Sequence, residues 1–532
     1  VNAMLIRIAF LLPVFVFWAC AQSTQATLSG RIVDSLRGRP VAAAQIRYFT
    51  HSGQSLAISS NRLGWYVIGG ISPGTLRLEV SAPGFQPQQV EHIELPVSGS
   101  VDLDFRLRPL SDVWEAGLTR SLLPQGTRAV LHRVGLDLDA SQTARPRLPQ
   151  IRDGAFEPSR SDVITTAQLR SLPLAGRDAY TLVIALSGVT ADAGTSRGLG
   201  VSVHGQRPSS SSFRLDGVDN NNDLVTGPLV TLPPEALSEY RLSAGIFTAE
   251  FGGTSGLLAN AISLGEQRAW HGLLYLYGNH ESLNANTFQR NRQGWSRAAD
   301  VEWQPGWSLG GPLAKGVFLT SAGELQSRRT QEDPGEYLLP AAQYSRYLIA
   351  GGAGRALLDR FRAPFPETRF VNAPVMLSPD ASTDRKFLLT RLDRTEGRLH
   401  QMLRWMTGSY SRPDFVWSPY RDFYSELRQP THSVVASIVG DWKPGLQYDG
   451  RVHWNRQSLG WNRPYAEIPT LESFDGTILP GSPAFYAFDY RQQRWESNHF
   501  VAWLHGAHQW KMGGSGMVRT LHTAFAPGRD GR

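Results

Sequence analysis

Apolar and polar residues alternate with period two in two widely separated parts of the chain. In the first, Val101, Leu103, Phe105 and Leu107 interleave with Asp102, Asp104, Arg106 and Arg108, and Leu76, Leu78 and Val80 with Arg77, Glu79 and Ser81. That rhythm predicts half-buried strands of a small sandwich over residues 27–108, with turns at Arg39-Pro40, Pro73-Gly74 and Pro83-Gly84. In the second, Val434, Ala436, Ile438 and Trp442 alternate with Ser433, Ser437 and Asp441, and Phe500, Ala502 and Leu504 with Trp503 and His505. One apolar and one wet face per strand suits a wall between lipid and a polar lumen. Residues 109–157 keep no period and read as a linker; a short helix is predicted from Thr166.

The N-terminus has its own pattern. Arg7 precedes an apolar run from Ile8 to Ala21, 14 residues long, too short for a helix across ~30 Å of hydrocarbon. It reads as a secretory signal cut after the small-x-small pattern Ala19-Cys20-Ala21, which removes the single Cys. A lipoprotein cut before Cys20 competes, but Phe17 and Trp18 are bulky there. Nothing later offers 18 consecutive apolar residues, so any membrane insertion is by β-barrel or by lipid.

The 532 residues carry a formal charge of +7. The basic residues are mostly Arg scattered singly, which makes a nucleic-acid partner a poor expectation. Charged residues are only 19% while Gly counts 52 and Pro 33, against a coiled coil or an acidic disordered chain. Of the 15 Trp, twelve lie at or after Trp270, as aromatic girdles at membrane interfaces require.

Several short motifs carry more. Gly30-Arg31-Ile32-Val33-Asp34, Gly64-Trp65-Tyr66, Ser72-Pro73-Gly74-Thr75-Leu76 and Ala82-Pro83-Gly84-Phe85 resemble the carboxypeptidase regulatory-like domain, a transthyretin-like β-sandwich. No peptidase activity follows, because no His in the chain has Glu three residues on, as a zinc pair would need. Farther along come Leu172-Pro173-Leu174-Ala175-Gly176-Arg177, Gly205-Gln206-Arg207, Asp216-Gly217-Val218-Asp219-Asn220 and Glu250-Phe251-Gly252. In this order they resemble the plug of TonB-dependent outer-membrane receptors, most closely the Oar-like group, and the likeness continues through Trp270-His271-Gly272 and Trp307-Ser308-Leu309-Gly310-Gly311-Pro312. The family's usual Asn-x-x-Thr-Lys-Ser-Gly ending is replaced by Asn260-Ala261-Ile262-Ser263-Leu264-Gly265.

The resemblance implies a mainly β chain: signal peptide 1–21, transthyretin-like β-sandwich 22–108, linker 109–157, α+β plug domain 158–265, and a partial transmembrane antiparallel β-barrel over 266–532. It implies a receptor in the outer membrane, plug and sandwich on the periplasmic side, taking up a scarce small or oligomeric ligand with a TonB-type energising complex and outer-membrane lipid as partners. No cofactor, metal or catalytic residue is expected. The plug residues singled out are Leu172, Pro173, Leu174, Gly176, Arg177, Gly205, Gln206, Arg207, Asp216, Gly217, Asp219, Asn220, Glu250 and Gly252, with Ala19 and Ala21 at the signal cleavage. Surface binding or attachment without transport is the alternative.

Other motifs that could carry chemistry lack the context it needs. Gly306-Trp307-Ser308-Leu309-Gly310 spells a nucleophile elbow, which needs a helix after the serine, whereas Gly311-Pro312 follows and a glycine-rich barrel hairpin is expected. Asp219 to Asp223 offers calcium-loop oxygens, but Leu224 and Val230 stand where Gly and Glu are needed. His505 and His508 lack an acidic companion at metal spacing. Coupling by strand addition needs an extended exposed stretch, for which Ser111–Trp114 and Asp162–Thr165 qualify. Finally, a plugged barrel of about 22 strands needs about 220 residues for its spans alone. Arg268 to Arg532 supplies 265, and Thr330–Asp384 does not alternate. About nine or ten strands can be drawn, so an incomplete barrel is expected.

Overall fold

The computed structural model describes residues 26–527 except 50–54, 72–73, 96–99, 111–150, 154–160, 173, 192–200, 224–226, 245–251, 341–347, 362–371, 414–417, 444, 463, 466, 470, 472, 482–485 and 506–507. The expected signal segment with Ala19 and Ala21, and Ser111–Trp114, lie outside the described residues.

The sandwich contains β1 (Ala26–Asp34), β2 (Gln45–Phe49), β3 (Ser55–Ser59), β4 (Trp65–Ile71), β5 (Gly74–Ser81), β6 (Gln88–Leu95), β7 (Ser100–Leu103) and β8 (Phe105–Leu107). One sheet has the order β3-β2-β5-β6; in the other, β1 lies between β4 and β7 and also pairs with β8. The alternation reads correctly, since Leu76, Leu78, Val80, Leu103, Phe105 and Leu107 are all buried between the sheets. The unbroken alternation over Val101–Leu107 is divided between two strands, however. Asp104 turns its carboxylate to the Arg31 backbone N–H at 2.8 Å, and β7 and β8 pair in parallel with successive stretches of β1. A Cβ on Gly30 would lie 1.9 Å from the Leu103 carbonyl oxygen, so only glycine lets β1 approach so closely. The linker also holds a strand, β9 (Ile151–Asp153), which pairs antiparallel with β7 and widens the sandwich.

The plug is built on β10 (Ser161–Thr165), α1 (Thr166–Ser171), β11 (Val189–Ala191), β12 (Val201–Val203), β13 (Ser212–Leu215), β14 (Val218–Asp219), β15 (Asn221–Asn222), β16 (Gly227–Pro228), β17 (Leu237–Ala244) and β18 (Leu257–Ser263). Its main sheet runs β10-β17-β18-β13-β14. Tyr180 meets Phe213 and Tyr240 edge-on, each with ring centroids 5.5 Å apart.

The wall is a nine-stranded antiparallel sheet of β19 (His271–His280), β20 (Asp300–Ala314), β21 (Val317–Thr330), β24 (Thr383–Glu396), β25 (Leu399–Pro413), β26 (Glu426–Lys443), β27 (Leu446–Asn462), β28 (Tyr486–His505) and β29 (His508–Pro527) in sequence order. The sheet is open, with β19 and β29 as its edges. Between β21 and β24, in the stretch that does not alternate, lie the hairpin β22 (Gly335–Pro340) and β23 (Asn372–Leu377) and a helix, Ala353–Arg360. They pack around Leu339, Phe361, Tyr420 and Phe423. Connections alternate in length: 281–299, 331–382, 414–425 and 463–485 are long, whereas 315–316, 397–398, 444–445 and 506–507 are two residues each. All the long ones lie at one end.

The two faces of the wall differ as the alternation predicts. Ser433, Gln447, Asn455, Arg494 and Asn498 are buried on the concave side; Leu274, Leu403, Trp405, Val452 and Trp495 are exposed on the convex side. Concave apolar residues Ala322, Phe387, Leu389 and Met406 share one core with the plug's Tyr180, Phe213 and Tyr240. Ser308 lies buried in mid-strand on this side, between β19 and β21. It stands in one arm of the β20–β21 hairpin, as expected, with a strand and no helix after it.

Candidate plug–wall interface

The hairpin joining β13 and β14 turns on two residues, Asp216 (φ +52°) and Gly217 (φ +79°). Two successive left-handed residues make the tight turn that Asp-Gly favours. This turn drives the Asp216 side chain into the concave wall. Its carboxylate accepts from the Ser263 backbone N–H at 2.8 Å and hydroxyl at 2.9 Å, and from Arg404 Nη1 at 2.5 Å. Arg391 stands 3.7 Å away. The backbone is gripped as well: Arg404 donates to the Leu215 carbonyl at 3.2 Å and Arg451 to that of Asp216 at 2.7 Å. Burial acts to raise the Asp216 carboxyl, but Arg404, Arg391 and the Ser263 hydrogen bonds hold it below the usual carboxylate range.

The wall arginines are themselves oriented. Arg391 is clasped by Asp393 at 2.8 Å, and Arg451 by Asp449 at 2.9 and 3.0 Å. His400 stands 3.0 Å from Asp393 and 3.3 Å from Glu266. Pinning the guanidinium planes leaves their remaining N–H groups aimed at the plug.

A second anchor follows in the chain. The Asp219 N–H donates to Glu496 at 3.0 Å, and its carboxylate accepts from Arg494, which also reaches Asp223 at 2.6 Å. Gln492 and Arg519 donate to Asp223 too. Asn220 instead turns inward and donates to Tyr180 Oη at 2.9 Å. Glu496 contacts His453 at 3.3 Å, His453 meets Ser433 at 3.1 Å, and Ser433 accepts from Arg404 at 3.3 Å. The two anchors are therefore one hydrogen-bonded network. Arg214 beneath it is fully buried, and burial pushes its guanidinium down to about 10.

The third contact uses Arg177, left-handed at φ +53° after Gly176 at φ +60°. Its guanidinium pairs with Glu235 at 2.5 Å and Glu324 at 3.6 Å, and lies 3.6 Å from the Tyr277 ring centroid. Tyr275 Oη donates to Glu324 at 3.0 Å.

Of the expected plug residues, Arg177, Asp216, Gly217, Asp219 and Asn220 come together here. Gly205, Gln206 and Arg207 form an exposed turn elsewhere, where Gln206 accepts from Ser255 at 3.3 Å. Leu172 is exposed, Leu174 and Gly252 are half-buried, and Pro173 and Glu250 fall outside the described residues. The calcium-loop carboxylates Asp219 and Asp223 are occupied by arginines. His505 and His508 are cross-strand neighbours. Among the described residues no three His, Cys, Asp or Glu side chains gather as a metal site. Sequence reading missed the wall arginines. Their trace was there, because Arg451, His453, Asn455 and Gln457 share one phase of β27, and Gln492, Arg494, Glu496 and Asn498 one phase of β28.

Residues 27–108 match the carboxypeptidase regulatory-like domain family. The TonB-dependent transporter Oar of Myxococcus xanthus is 21% identical over 314 residues, covering 58% of this chain and 27% of that protein. The outer-membrane transporter YddB of Escherichia coli superposes with a TM-score of 0.50 at 14% identity, over 68% of this chain and 48% of that one. A mutant of the ferric enterobactin receptor PfeA of Pseudomonas aeruginosa gives 0.43 at 15% identity, over 68% and 49%. The chain thus spans about a quarter of Oar and about half of YddB. Its fold is that of a plugged outer-membrane β-barrel, of which nine wall strands are present.

Proposed function

We propose that this chain forms the sandwich, plug and first wall strands of a TonB-dependent outer-membrane receptor that takes up a scarce ligand, with energy delivered through an inner-membrane complex pulling on the plug. The domain division set out from the sequence is part of this reading. The observation that carries it is the chemistry of the plug–wall contact. The plug is held by oriented ion pairs and hydrogen bonds at Asp216, Asp219, Asp223 and Arg177, groups that water can solvate when the plug is displaced. A plug sealed by apolar packing alone would expose that surface to water on moving.

The convex surface supports a membrane setting. Trp442, Trp503 and Trp510 lie beside the two-residue connections, and Trp454 and Trp495 lie toward the long connections. Trp495 and Trp503 are eight residues apart on one strand, which gives ~26 Å along it and ~20 Å of height at a tilt of about 40°. That approximates the ~25 Å apolar band of an outer-membrane barrel. The edges β19 and β29 need pairing in such a setting, because unpaired backbone groups find no partners in lipid. For energy coupling, β10 is suited: it pairs with β17 on one side and is the edge of its sheet on the other.

The test is uptake by the host's intact cells of a radiolabelled panel of ferric siderophores, cobalamin, oligosaccharides and peptides. One panel member is expected to enter only when this gene, the energising complex and the proton-motive force are all intact. Accumulation that persists after a protonophore would favour attachment or passive entry.

A further inference from the structure

We propose that the convex face of the wall carries a binding site for the phosphate of a membrane-lipid headgroup, made by His432, Arg456, Gln493 and Arg491. The inference rests on the membrane placement above and adds a ligand to the lipid-facing surface. Strand register places these residues. Arg456 of β27 lies directly opposite His432 of β26 and Gln493 of β28. Neighbouring strands lie ~4.8 Å apart, so the three side chains form one row of donors. Arg491 is the next residue on the same face of β28, ~6.6 Å farther along it. All four are exposed.

Three features point to a lipid phosphate. The row stands one step toward the long connections from Trp454 and Trp495, which face each other across β27 and β28 with ring centroids 6.3 Å apart. Indoles settle at the headgroup level of a bilayer, and long basic side chains beside them reach the phosphates. Charge is also one-sided. The row reads Thr407, His432, Arg456, Gln493, Thr520, and Ser458, Arg491 and His522 lie above it, with no carboxylate among them. Asp489 takes up Arg491 from one side at 2.8 Å. Arg456 has no carboxylate partner among the described residues, and its planar fork suits two phosphate oxygens. Lastly, His432 is already turned along the row, its Nδ1 3.0 Å from Thr407 Oγ1.

The test uses the full chain in mixed micelles of detergent and phosphatidylcholine, where water and detergent headgroups can reach the open edges β19 and β29, with fluorescent phosphatidic acid as probe and fluorescent diacylglycerol as its phosphate-free control. Phosphatidic acid is expected to bind above the control, with Arg456→Glu about tenfold weaker and Arg456→Lys in between. Lys315→Ala at a tight turn should leave binding unchanged. Unaltered binding by Arg456→Glu, or equal binding of the two probes, overturns the proposal. Displacement of the probe by inorganic phosphate also overturns it, since that marks a free-anion site. Should Arg456→Glu fail to fold, Gln493→Ala together with Arg456→Gln decides in its place. Failure of the unmodified chain to fold in these micelles would instead count against the membrane reading itself.

Discussion

Asp216, buried, and Asp178, half-buried, show how two carboxylates of one plug take opposite shifts. Asp216 is surrounded by Arg404, Arg391 and Ser263 and lies low, so its contribution is present above pH ~4 and is lost only as pH falls through the depressed value. Asp178 caps the 3-10 turn Ala179–Ala185 through the Tyr180 N–H. Burial raises it to about 6, against the lowering by Arg385 and two backbone hydrogen bonds. A raised carboxyl contributes stability fully present below its unfolded value near 4, and lost as pH rises through 6. Denaturation midpoints in detergent micelles should therefore fall between pH 4 and 6, and Asp178→Asn should flatten that interval. An unchanged slope would remove Asp178 from the explanation. Arg404→Ala leaves Asp216 buried with its closest cation gone, and is expected to cost about 3 kcal/mol by the same measurement. A cost within ~0.5 kcal/mol would mean that Arg391 and Ser263 suffice.

At the scale of the element, β26 tests which side of the wall meets lipid. Val434, Ala436 and Ile438 point outward, while Ser433 and Val435 are buried against the concave side. Ile438 lies between the two tryptophan levels, so Ile438→Arg should cost about 2–4 kcal/mol in folding in detergent–phosphatidylcholine micelles, and Ile438→Leu almost nothing. Equal effects would place that face away from hydrocarbon. This alternation was legible because a strand sends successive side chains to opposite faces whatever it packs against. The break at Asp104 was not legible. It depends on the Arg31 N–H of another strand, 73 residues away. Nor could the hairpin β22–β23 be read, since its apolar contacts are Tyr420 and Phe423, supplied by the next long connection.

For the whole molecule, the alternation of two-residue and long connections gives a direction. In a Cys20→Ser background, Phe474→Cys in a long connection should react with a membrane-impermeant maleimide on intact cells, and Lys315→Cys at a tight turn only after permeabilisation. The reverse pattern would invert the orientation. The sequence alone determined the β architecture, the sandwich's inward faces, the plug motifs and the two-faced wall, because periodicity and turn chemistry act between residues close in the chain. Tertiary structure decided what those motifs touch. Asp216 meets Arg404 and Arg451, and Asp219 meets Arg494, across more than 180 residues of chain. In the sequence the polar phase of β27 and β28 marks Arg451 and Arg494 as lumen-facing, but nothing there says which plug groups they meet. Only the curvature of the wall around the plug brings their guanidinium groups to the carboxylates, and ion pairs form by distance in space.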